Sequence, residues 1–203
     1  MPRQMASGAF QKAQWDARYA AHIAAINELV DRLGTEGPGS RPPYVAPLYG
    51  GVNAELLNVL QDPGPMTQKG KGSGFICLEN DDPTAENMAN LLSGVDISPA
   101  RAMIWNAYPW FINRKPKAKE LSDGAKVFFQ IINLLPKLRV VMLNGRVAQA
   151  MWEVARAQGL SLPTQVTVIS TYHTSKRALL TEKRRAHVEA AFREAAQILS
   201  AKI

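Results

Sequence analysis

A chain of 203 residues in which 46% are apolar and 20% charged has the makings of one globular domain with an ordinary core. No apolar run approaches the roughly 18 residues of a membrane-spanning helix, which excludes that class of protein. The 24 Lys and Arg against 17 Asp and Glu leave a formal charge of +7, a balance that favours a polyanionic partner.

In chain order, Trp15, Tyr19, Ile23, Ile26, Val30 and Leu33 recur at steps of three and four residues, predicting one amphipathic helix over residues 11–33 that Gly34 stops. Residues 34–51 hold four prolines and five glycines and predict a long irregular connection. Residues 1–51 are therefore expected to form a helix and strap packed on a main domain of residues 52–203. Within that domain, residues 56–61 predict a short strand, and Asp82-Pro83 opens a helix that Gly94 closes. A second strand is expected over 102–107, then a helix over 122–135 and a third strand over 139–143. After these come a helix from Arg146 to the Gly159 stop, a fourth strand over 166–171 and a last helix with Val188, Phe192, Ala195 and Leu199 on one face. Strand and helix alternate four times. The expected fold class is α/β, a three-layer α/β/α sandwich around a central four-stranded parallel sheet.

Cys77 is the single cysteine, and His22, His173 and His187 are the only histidines. Such a set builds neither a cysteine-ligated zinc site nor an iron–sulfur cluster, so the expected chemistry uses no metal and no cofactor. With no internal disulfide and no charged-then-apolar leader over residues 1–10, the reading places the chain in the cytoplasm. Basic residues concentrate in two stretches: 114–126 carries five against two acidic, and 173–203 carries seven against three. Glu79, Asp81, Asp82 and Glu86 form an acidic patch ahead of both.

Ligands of open α/β sheets bind beyond the carboxyl ends of the strands, so the residues after each strand are where a site is sought. The first strand runs into Gln61-Asp62-Pro63-Gly64 and the second ends near Asn106 and exits through Tyr108-Pro109-Trp110. The third ends at Asn144-Gly145 and the fourth runs into Tyr172-His173-Thr174-Ser175. Each alone reads equally well as a turn former or a structural histidine; their shared placement favours a site.

Four ordered segments carry a resemblance: Leu60-Gln61-Asp62-Pro63-Gly64, Gly72-Ser73-Gly74-Phe75, Trp105-Asn106-Ala107-Tyr108-Pro109-Trp110 and His173-Thr174-Ser175-Lys176-Arg177. Together with Met142-Leu143-Asn144-Gly145-Arg146-Val147-Ala148-Gln149, over roughly residues 52–199, the chain resembles the uracil-DNA glycosylase superfamily. The resemblance implies hydrolysis of the bond between deoxyribose and uracil in DNA, by a monomer acting on the nucleoid. It gives Asp62 the attacking water and the developing sugar cation, and His173 the uracil carbonyl on which negative charge gathers. It makes Phe75 the ring stacked on the extracted base and Asn106 the amide that pairs with its edge, and it gives Gln61 the other carbonyl through its backbone N–H. The loop from Ser175 to Leu180 corresponds to the one that presses a wedge into the gap left by the flipped nucleotide, with Arg177 or Leu179 as the wedge. Lys69, Lys71, Ser175, Lys176 and Arg177 are the implied DNA contacts.

Two features depart from the family pattern. Gly64 stands where the best-studied branch has the aromatic that excludes the thymine methyl, so closure of the pocket is expected from another side chain, Tyr108 or Met66. The adjoining Gly64-Pro65 resembles branches that bind an iron–sulfur cluster, which this chain cannot ligate. Two further readings are a non-hydrolytic binder of uracil or abasic DNA with the same fold, and a nucleotide enzyme in which Gly70-Lys71-Gly72-Ser73-Gly74 cradles phosphate.

Overall fold

The structure, a computed structural model, describes residues 3–38 and 41–201. The amino-terminal part holds α1 (Gly8–Asp16), α2 (Ala24–Glu36) and a two-residue strand, β1 (Tyr44–Val45). The chain continues as β2 (Leu56–Leu60), β3 (Phe75–Ile76), α3 (Pro83–Ser93), β4 (Ala102–Asn106), α4 (Ala118–Asn133), β5 (Val140–Asn144), α5 (Arg146–Ala157), β6 (Thr167–Thr171) and α6 (Glu182–Ser200). Four strands pair in the order β4-β2-β5-β6, all parallel. Helix α4 packs on α5 and α3 on α6, and the sheet lies between the two pairs, an α/β/α sandwich. Among the described residues no helix is long and apolar enough to cross a membrane.

Strands buried on both faces read as continuous apolar runs, and β2 and β4 do so: Leu56, Leu57, Val59, Met103 and Trp105 are all inaccessible to solvent. Each such side chain contributes roughly 1.5–3 kcal/mol through burial. Helix α3 starts where Asp82 accepts from the N–H groups of Thr84 and Ala85 at 2.8 and 3.0 Å, with Pro83 in the first turn.

The expected single helix over residues 11–33 is two helices joined by a turn. The carbonyls that would continue it are taken elsewhere: Asn27 Nδ2 donates to Arg18 O at 2.7 Å, and the Val52 N–H to His22 O at 2.8 Å. The apolar spacing survives the break because Ile23, Ile26 and Val30 stay on the core. Gly34 does not stop α2, which runs on to Glu36; a Cβ at Gly34 would stand 2.8 Å from the Arg41 side chain, so glycine there makes room for a crossing segment. The connection after it is not wholly irregular either. Tyr44 and Val45 pair in parallel with Phe75 and Ile76, and Asn27 ties them to α2 by accepting from Val45 N–H and donating to Val45 O.

Candidate active site

At the carboxyl ends of the parallel strands lies a cleft of about 460 Å³ bordered by Asp62, Gly64, Asn106, Asn144, Arg146 and His173. Its floor follows from strand alternation. Leu60 on β2 stands opposite Asn106 on β4, and Ile104, two residues earlier on the same face as Asn106, also borders the cleft.

Asp62 is held by three donors. Gln61 Nε2 reaches Oδ1 at 2.8 Å, while the backbone N–H groups of Asn113 and Ile112 reach Oδ2 at 3.0 and 3.4 Å. Asn113 has φ 50°, in the left-handed region that asparagine tolerates. This turn between β4 and α4 is what aims both amides at the carboxylate. Gln61 Nε2 also donates to Arg114 O at 3.2 Å, so its side chain orients Asp62 against that loop. The loop is anchored in turn by Arg114 on Glu120, whose carboxyl the guanidinium and the Lys117 N–H draw down to about 2.

His173 accepts at Nδ1 from the Ser175 N–H at 3.0 Å, which leaves the proton of the neutral ring on Nε2. Burial pushes its pKa down to about 4, so at neutral pH it is an uncharged donor. The loop is fixed from two sides. Asn87 of α3 donates to Thr174 O at 2.8 Å, and Gly145 packs so closely that a Cβ there would lie 3.1 Å from His173 Cβ. At φ 93° Gly145 also occupies backbone space that other residues avoid.

Asn106 is 3% exposed and its Oδ1 is buried with no partner among the described residues. An acceptor left so costs about 1–3 kcal/mol, which a donor N–H on a bound base would recover. Asn144, on the neighbouring floor, donates to Met142 O at 3.1 Å and to the buried Asn58 Oδ1 at 3.4 Å, and its own Oδ1 is likewise unpaired. Cys77 also borders the cleft; burial raises its thiol to about 12 and keeps it neutral.

Asp62, Gln61, Gly64, Asn106, His173 and Ser175 thus come together. Others do not. Phe75 is fully buried and off the cleft: strand alternation turns Ile76 to the cleft and sends Phe75 onto Trp15, at 4.8 Å between ring centres, and Tyr44. Lys69 and Lys71 border a separate groove beside α1, where Lys69 Nζ sits 5.2 Å over the Trp15 ring. Neither Tyr108 nor Met66 borders the cleft; Tyr108 packs on Trp110. Nothing among the described residues lies within 4 Å of a Cβ built on Gly64, so its side of the cleft is open. In the His173 loop Lys176 and Arg177 are exposed, but Leu179 is buried at 9%, and the apolar residue left outside is Leu180, at 69%. The glycine-rich stretch 70–74 is no phosphate cradle, because its N–H groups are used internally: Lys71 and Gly72 donate to Gln68 O and Ser73 to Met66 O.

Sequence reasoning missed Asn58, Asn87 and Arg146 as parts of the site. Only tertiary contacts reveal the first two. Arg146 carried a signal, since a cation directly after a strand-end Asn-Gly turn is already at the right end of the sheet.

Fold and cleft together define an α/β protein whose ligand site sits at the carboxyl ends of a parallel sheet, with a fixed carboxylate, a neutral histidine donor and an amide around one pocket. Residues 47–196 match the model of the Uracil DNA glycosylase superfamily, and the chain belongs to that superfamily. Two transketolases of Cupriavidus necator, one chromosomal and one plasmid-encoded, are each 28% identical over 128 residues, 61% of this chain and 17% of the transketolase. The chain thus spans under a fifth of those proteins.

Proposed function

We propose that the cleft hydrolyses the N-glycosidic bond of uracil in DNA, as a monofunctional glycosylase that flips the nucleotide out of the helix. As the bond breaks, its electron pair passes to the base and positive charge develops on the sugar. Asp62, facing the sugar, stabilises that charge and takes the proton of the attacking water. His173 donates through Nε2–H to the carbonyl that becomes anionic, without itself having to be a cation. Asn106 offers a donor to the 4-carbonyl and an acceptor to the ring N–H; cytosine presents the reverse at its amino group and leaves both unpaired. The observation that carries this reading is the meeting, in one cleft, of a carboxylate fixed by three donors and a histidine whose free proton is on Nε2. The reading makes the chain a monomer working on the nucleoid in the cytoplasm.

The test is incubation with an end-labelled oligonucleotide containing one uracil, followed by hot alkali. Breakage at uracil supports the proposal. Retention of the oligonucleotide without breakage replaces it with a non-hydrolytic binder, and no interaction at all removes both.

Gly64 sets a second expectation. Its backbone, at φ −75° and ψ 166°, accepts any side chain, and a Cβ there meets nothing. Gly64→Tyr should therefore fold with its melting temperature little changed. With this wall open, 5-hydroxymethyluracil is excised alongside uracil, and Gly64→Tyr lowers its excision by about 10- to 200-fold more than that of uracil, the range one pocket wall provides. Equal effects on the two bases would show that position 64 does not face the base.

The wedge is assigned to Arg177 and Leu180, the exposed members of the His173 loop. A wedge matters less where the base is already unpaired. Arg177→Ala or Leu180→Ala should slow excision from duplex DNA more than from single strands, and equal slowing on both substrates for each variant would remove the loop from this role.

A further inference from the structure

The cleft holds a charge problem that the proposed reaction does not resolve. Two carboxylates border it, Asp62 and Asp82, and both would repel the phosphates that flank a flipped nucleotide. His173 is uncharged at neutral pH and brings no compensation. Among the described residues that border the cleft, Arg146 is the one with a cationic side chain.

Its place is set by the sheet. β5 lies between β2, from which Asp62 emerges, and β6, from which His173 emerges. Arg146 directly follows the Asn144-Gly145 turn at the end of β5, and Gly145 is pressed onto His173. The cation therefore stands beside the stretch of cleft that the sugar must cross between Asp62 and His173. It opens α5, and the Gly145 cap has no side chain to occupy the first-turn N–H groups, which face the same way and favour an anion.

From the charge balance and this position we infer that Arg146 binds a phosphodiester adjoining the flipped nucleotide and fixes the sugar over Asp62. The inference rests on the proposed glycosylase reading for its substrate, and it makes Arg146 a positioning residue.

Arg146→Gln keeps a polar, unbranched but shorter side chain and removes the charge at an exposed position, so the variant should fold. Affinity for uracil-containing oligonucleotides is measured by fluorescence anisotropy over a range of salt concentrations. The probes carry either normal phosphodiesters or one neutral methylphosphonate, placed 5′ or 3′ of the uridine. With normal DNA, Arg146→Gln should weaken binding about 10- to 100-fold and lower the slope of log affinity against log salt by about 1. With the methylphosphonate at the contacted linkage, native chain and variant should bind alike. An equal loss on all three probes, or no loss on any, would overturn the inference. Excision by the native chain is followed in the same samples; its absence there would count against the glycosylase reading, while the anisotropy result still decides the role of Arg146.

Discussion

Asp62→Asn is expected to slow single-turnover excision of uracil by about 10²–10⁴-fold while uracil-containing DNA is still bound. The amide keeps the shape of the carboxylate but loses its charge and its capacity to take a proton from water. The surroundings add a second consequence. Gln61 Nε2 and the N–H groups of Ile112 and Asn113 all donate to this side chain, so an amide NH₂ must face one of them and leave it unpaired. The variant should be less stable by no more than about 1 kcal/mol, because these donors are only partly buried and water reaches the one left unpaired. Rates are therefore to be compared per folded molecule, with thermal unfolding measured alongside. A near-native single-turnover rate would remove Asp62 from the chemistry.

His173→Ala should cost about 10²–10³-fold in the chemical step, the usual effect of deleting one donor at a developing anion. The pH dependence tests whether the donor is the neutral ring. Burial lowers the pKa of His173 to about 4 in the folded chain, whereas an unfolded chain holds histidine near the ordinary value of about 6.5. Between those values the unfolded state binds the additional proton. The contribution of His173 to stability is thus intact above about 6.5 and is lost as the pH falls through that window towards 4. In the native chain the rate should show no step near 6.5, since the ring is already neutral there. The His173 ring signal, followed by NMR, should titrate near 4. A midpoint near 6.5 would mean that the imidazole is a cation through much of the working range, and the assignment of a neutral donor would fall.

Much of this architecture is legible in local sequence. Strands β2, β4 and β5 announce themselves as short apolar runs, and Asp82-Pro83 and Gly94 mark the ends of α3, because burial on two faces and capping act through neighbouring residues; the edge strand β6, Thr-Val-Ile-Ser-Thr, shows only its β-branched composition. The break between α1 and α2 is not legible, since the apolar spacing continues across it while distant groups on Asn27 and Val52 take the carbonyls. The two-residue strands β1 and β3 are too short to show a period.

The site divides in the same way. Asp62, Asn106 and His173 sit at strand ends, so predicting the strands largely places them. Phe75 lies off the cleft because one step along a strand reverses the face, and motif spacing does not say which of Phe75 and Ile76 turns towards it. Leu179 and Leu180 pose the same problem in a loop: two adjacent leucines differ in exposure from 9% to 69%, and Leu179 is the one that joins the core. The cap of Gln61 over Asp62 and the Ser175 N–H on His173 are single hydrogen bonds whose partners are one and two residues apart in sequence, yet no pattern of residue types specifies them.

The central claim is that this cleft releases uracil by hydrolysis and leaves the DNA backbone whole. Its most direct measurement is mass spectrometry of a single-turnover reaction between the native chain and an oligonucleotide carrying one uracil, with Asp62→Asn run beside it. Free uracil and an intact abasic strand are expected in equal amounts before any alkali is added, with both products greatly reduced for the variant. Unchanged uracil-containing strand with the native chain, or a strand already broken without alkali, would contradict it.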